Sequence, residues 1–290
     1  MSGTLRFFLI QSLNGLALGG LLFLLSSGFS LIFGLMRVAN LAHGAFFMLG
    51  AYVGLSALRA GLGFFAAVLL GGLAVAVLGG LAERFLLRRL AGKTLAQVLI
   101  TLGIAFIIGD ASLLVWSGDP MPLPIPEALS GAVPVAGIFF PKYRLAVVAI
   151  SVAVAAALWL LLERTRIGAM IRAGVDDMEM ARGLGIAVPK LFTVVFCLGA
   201  ALAGMGGVLG GPILSVYPGL DMDMLPLALI VLILGGAGNL LGAFAGSYFI
   251  GFLYTFGQAL FPDLAYVILF LPMVAALALR PQGLFRMRPA

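Results

Sequence analysis

The residues able to do chemistry are few, and their spacing argues first against most kinds of it. His43 is the only histidine and Cys197 the only cysteine, so neither an imidazole cluster nor a paired-thiol metal site can be built, and no cofactor is expected. No serine stands in the setting of a nucleophile elbow. Gly92, Lys93 and Thr94 read like the end of a phosphate-binding loop, but that pattern needs a glycine where Leu87 stands. Gly236, Gly238 and Gly242 exceed a dinucleotide fingerprint by one residue and follow an apolar helix-like run instead of a strand. Neither a nucleotide site nor a catalytic constellation is legible, so the chain is not expected to be an enzyme.

What remains are hydrogen-bonding groups set into apolar segments. Asp110 is the acidic residue well inside such a segment, where a carboxylate costs about 2.5 kcal/mol or more unless it faces protein or water. Tyr248, Gly251, Thr255 and Gln258 recur at helical spacing, and Asn40 with His43 and Ser26 with Ser30 form smaller patches. A zwitterionic or amide substrate must exchange its hydration for bonds to such groups, so Asn40, His43, Asp110, Tyr248, Thr255 and Gln258 are candidates for a translocation path. Bonding between helices is the other reading of the same residues. A proton relay would need more groups than one aspartate and one histidine supply. An intramembrane hydrolase would need a serine or facing aspartates in mid-membrane.

The elements that must position these groups are membrane helices. The 290 residues are 63% hydrophobic and 10% charged, against about a quarter charged in soluble domains. An all-α, polytopic helical membrane protein of about eight to nine segments is expected, as a single transmembrane domain over residues 1–290. Six runs are long enough to cross: Phe7 to Leu35, Leu41 to Leu58, Phe64 to Leu81, Leu95 to Trp116, Leu145 to Leu162 and Leu191 to Leu214. The first could break near Ser26, Ser27 and Gly28. Leu225 to Leu234 is short, followed by a glycine-rich turn to Asn239, then by Leu240 to Leu260 and Tyr266 to Leu279. Leu225 to Asn239 is read as a thin crossing or a re-entrant half-helix.

Orientation follows from the basic residues. Arg84, Arg88, Arg89 and Lys93 share one loop, Arg164, Arg166, Arg172, Arg182 and Lys190 another, and Arg280, Arg286 and Arg288 the tail; all belong in the cytoplasm. The linkers from Ser117 to Pro141 and around Asp221 and Asp223 belong outside. A net charge of +6 therefore reports membrane orientation and not a nucleic-acid partner. The four-residue glycine pairs Gly15 and Gly19, Gly50 and Gly54, Gly206 and Gly210, with Gly238, Gly242 and Gly246, read as faces for close helix packing.

Residues 163–190 are too charged to cross. Asp176, with Glu179 three residues on and Gly183 or Gly185 as a stop, outlines about two turns of capped helix. The run Arg164 to Ala173, with Asp177, Glu179, Ala181, Leu184, Gly185 and Ile186, resembles the cytoplasmic loop of LivH-type permeases of branched-chain amino acid ABC importers. Met180 stands where that family's motif has its first alanine. Asn14 to Gly19, Gly34 to Tyr52 (with Val38, Ala39, Asn40 and His43), Gly199 to Gly207 and Leu234 to Gly246 are similar to its other blocks.

The resemblance implies a multi-pass subunit of a bacterial inner membrane, surrounded by lipid. Its partners would be a second related permease, two cytoplasmic ATPases and an external substrate-binding protein. It also implies a coupling loop in which Arg172, Asp177, Glu179, Ala181, Leu184 and Gly185 meet an ATPase. The family includes urea and short-amide permeases, and the membrane residues leave the substrate open among these.

Overall fold

The computed structural model describes residues 3–37 and 40–279. Val38 and Ala39 of the N-terminal block, and the basic tail of Arg280, Arg286 and Arg288, lie outside the described residues. The chain begins with α1 (Gly3–Met36), α2 (His43–Arg59), α3 (Phe64–Phe85) and α4 (Thr94–Trp116). A hairpin of β1 (Ala132–Val135) and β2 (Ile138–Pro141) precedes α5 (Lys142–Arg164). Two short helices, α6 (Arg166–Asp176) and α7 (Met178–Gly183), lead to α8 (Val188–Leu214), α9 (Leu220–Gly235), α10 (Leu240–Leu260) and α11 (Ala265–Leu279).

Among the described residues, seven segments are long and apolar enough to cross a membrane, the last being α11 taken with the short turn before it, Pro262–Leu279. Of the other apolar helices, α2 has 17 residues and α9 has 16. For α9 the structure shifts the start back to Leu220, five residues before the apolar run. Gly219, in the left-handed region at φ +107°, turns the chain into the helix, and Asp221 and Asp223 occupy its first turn, where carboxylates suit the positive end of the helix dipole. The acidic stretch read as linker is therefore helix.

α1 runs unbroken through Ser26, Ser27 and Gly28, all buried, and Ser27 keeps its hydroxyl bonded to the Leu24 carbonyl at 3.2 Å. It is the central post, packed by α5, α8 and α10. α2 lies among α3, α8 and α9 and starts deep inside. The His43 ring nitrogen Nε2 is 2.9 Å from the Leu25 carbonyl, about three turns, or roughly 16 Å, above the Met36 end of α1. A helix that begins at this depth needs protein around its irregular lead-in, and Asn40, Ala42 and His43 are buried.

Backbone contact at glycine holds this interior together. A side chain at Gly50 would put its Cβ 2.3 Å from the Gly204 Cα, and one at Gly207 would come 1.9 Å from the Phe47 carbonyl oxygen. Without a Cβ, α2 can lie on α8. Gly15 and Gly19 likewise receive Phe252 and Tyr248 of α10, so these pairs serve packing within the chain. The outer helices differ: only 22%, 22% and 18% of the crossing windows of α4, α5 and the last segment are buried. Their apolar surfaces require lipid or neighbouring helices as solvent.

Candidate functional site

Both ends of α5 lead to features with chemical content. At the Arg164 end the chain turns through Thr165, whose hydroxyl accepts from the Gly168 amide at 3.1 Å and so caps α6. Gly168 lies flat under the last turn of α5, where a Cβ would be 2.2 Å from the Leu162 carbonyl oxygen. Ile171 and Gly174 are buried against the bundle, and Arg172 pairs with Glu163 at 3.4 Å. The sequence outlined a helix only from Asp176 onward; α6 before it is amphipathic, with Ile167, Met170, Ile171 and Val175 at helical spacing.

The next cap is Asp177 and not Asp176, which closes α6. Asp177 Oδ1 accepts from the Glu179 amide at 3.0 Å and the Met180 amide at 2.9 Å. Asp176 is already the last residue of a helix, so it cannot cap the next one. At the other end Ile186 N–H donates to the Ala181 carbonyl at 3.1 Å and Gly185 N–H to Arg182 at 3.0 Å, with Gly185 at φ +83°. That is a Schellman motif, and it selects Gly185 over Gly183 as the stop. Ala181 is buried, whereas Met180 and Leu184 are 62% and 74% exposed. Met178, Ala181 and Leu184 stand at three-residue spacing, yet of them only Ala181 is buried, and Leu184 faces outward with Met180.

Beneath α7 sits a junction that the sequence reading missed. Glu83 is fully buried and meets Arg88 through two bonds, 2.9 and 3.2 Å, while Thr193 donates to it at 2.7 Å. Arg88 also donates to the Pro189 carbonyl at 2.8 Å. These bonds tie the end of α3 to the start of α8. Met178 and Arg182 of α7 share a cavity of about 230 Å³ with Glu83 and Arg88. A separation of five positions between Glu83 and Arg88 and a partner more than a hundred residues away gave no local signal beyond a basic loop.

The six polar candidates do not converge on one place. His43 is buried, stacked on Phe29 at 5.0 Å between ring centroids, with Asn40 buried nearby. Tyr248 shares a 2.8 Å hydrogen bond with Ser151 and joins α10 to α5. Asp110 is exposed on the outward surface of α4. Thr255 and Gln258 do come together, lining a cavity of about 400 Å³ at the other end of α5. Gln11, Asn14, Arg144 and Tyr254 complete its polar wall. Arg144 lies at the very start of an apolar run, which hid it from the sequence reading.

The sequence profile of the family described as "Branched-chain amino acid transport system / permease component" matches residues 11–277. The high-affinity branched-chain amino acid transport system permease protein BraD of Pseudomonas aeruginosa is 27% identical, over 96% of this chain and 95% of its own length. The permease protein LivH of the corresponding Escherichia coli system is 27% identical over 98% and 97%. The autoinducer 2 import system permease protein LsrC of Klebsiella pneumoniae is 31% identical over 60% of this chain and 51% of its own. The last name marks a different cargo on a related sequence.

Proposed function

The chain belongs to the branched-chain amino acid transport permease family, and from that premise we propose that it is one of two related permease subunits of an ATP-driven importer. It passes branched-chain amino acids through the bilayer as a single membrane domain. The carrying observation is α7: six residues capped at both ends, set between two crossing helices, with Met180 and Leu184 exposed on an otherwise charged face. A short, firm helix bearing two apolar side chains suits a groove in a cytoplasmic partner, and the family reading makes that partner an ATPase. Arg172, held to Glu163, steadies the segment that carries it.

In this reading α2 and α9 join the seven longer segments as thin crossings. The basic ends face the cytoplasm, and the hairpin and the N-terminus face outward. In a Cys197→Ser background, cysteine at Ser130 should react with an impermeant thiol reagent in intact cells. Cysteine at Arg89 should react only after permeabilisation; the reverse pattern would invert the orientation.

The substrate is tested by uptake in cells that express the chain with its partner subunits and binding protein. Labelled leucine should accumulate, with competition from isoleucine and valine and none from urea or acetamide. Uptake of labelled urea in place of leucine would move the chain to the amide branch of the reading.

A further inference from the structure

We infer that the cavity at the start of α5 is a substrate subsite in which Arg144 receives the amino acid's α-carboxylate. The inference rests on the amino acid reading above and deepens it. The cavity lies where α1 and α5 begin and where α8 and α10 end. It is therefore at the end of the bundle opposite the α6–α7 segment, which joins the end of α5 to the start of α8.

Arg144 is half-buried, and its guanidinium donates to the side-chain oxygen of Asn14. Among the described residues no ion pair involves it, and none of the chain's 11 acidic residues lines the cavity. A partly desolvated guanidinium held only by a neutral amide lacks its natural complement, a carboxylate bound through two parallel N–H donors. Gln11 and Gln258 add neutral polar groups around the same space, while Leu18, Ile213 and Leu214 form an apolar wall. A cavity of about 400 Å³ with one cation, a few amides and an aliphatic side fits a zwitterion with an apolar side chain. A neutral amide such as urea has no use for the cation, so the site favours amino acids over that alternative.

Two variants in the complete complex test this, each read by leucine uptake and by ATP hydrolysis stimulated by the binding protein. Arg144→Gln should lower uptake by about tenfold or more, the loss of one charged hydrogen-bonding partner. Stimulated hydrolysis should remain near wild type. Asn14→Asp keeps the arginine and supplies it with a permanent carboxylate. If Arg144 is purely structural, this variant is at least as stable as wild type and transports normally. If the arginine receives substrate, the added carboxylate competes and uptake falls by a similar factor in a stable complex.

Normal uptake by Arg144→Gln or Asn14→Asp overturns the subsite. Loss of stimulated hydrolysis together with uptake also overturns it, because the arginine then docks an acidic group of the binding protein. A wild-type complex that imports no leucine instead rejects the functional reading on which the inference stands.

Discussion

Replacing Gly185 with valine and Asp177 with alanine together is expected to cut leucine uptake by more than tenfold while leaving the chain fully inserted in the membrane. The helix between them, Met178–Gly183, has six residues, far below the length at which a helix persists without outside support. Its N-terminal amides rest on Asp177, a cap whose removal costs about 1 kcal/mol. Its C-terminal carbonyls are closed by a turn that needs φ +83° at residue 185, a conformation β-branched residues resist. Neither position lies in a crossing helix, so insertion has no reason to fail. Losing both caps removes the firm presentation of Met180 and Leu184, and the ATPase subunits should co-purify less.

Gly183→Ala is the matched control, since a Cβ there meets nothing within 4 Å. Glu179→Pro is a weaker probe than its place in the loop suggests, because a first-turn position tolerates proline and loses only one capped amide. Normal uptake by the double variant would show that the segment is a linker, and coupling would then have to run through other contacts.

The parts of this architecture set by local rules were legible in the sequence. Apolar runs gave most of the long helices, and the aspartate and glycine around residues 176–185 gave a capped helix that was misplaced by one residue. Long-range pairing was not legible. Glu83 finds Thr193 across the bundle, and Arg144 finds Asn14, through a helix arrangement that periodicity does not encode. Gly50 was read as part of a packing face, but its partner, Gly204, and the contact of Gly207 with the Phe47 carbonyl follow from the depth at which α2 begins. His43 shows the same limit in reverse: a lone histidine invites a functional reading, and the fold packs it against Phe29 with its Nε2 at the Leu25 carbonyl.

The central claim is that this chain moves amino acids only when driven by ATPases it does not itself contain. The most direct measurement reconstitutes it in liposomes with the second permease subunit, with or without the two ATPase subunits, and adds leucine-loaded binding protein on the outer side. Leucine should accumulate against its gradient only when the ATPases and ATP are both present, and the chain purified free of partners should hydrolyse no ATP. Equal accumulation without the ATPases, or ATP hydrolysis by the chain alone, would contradict the account.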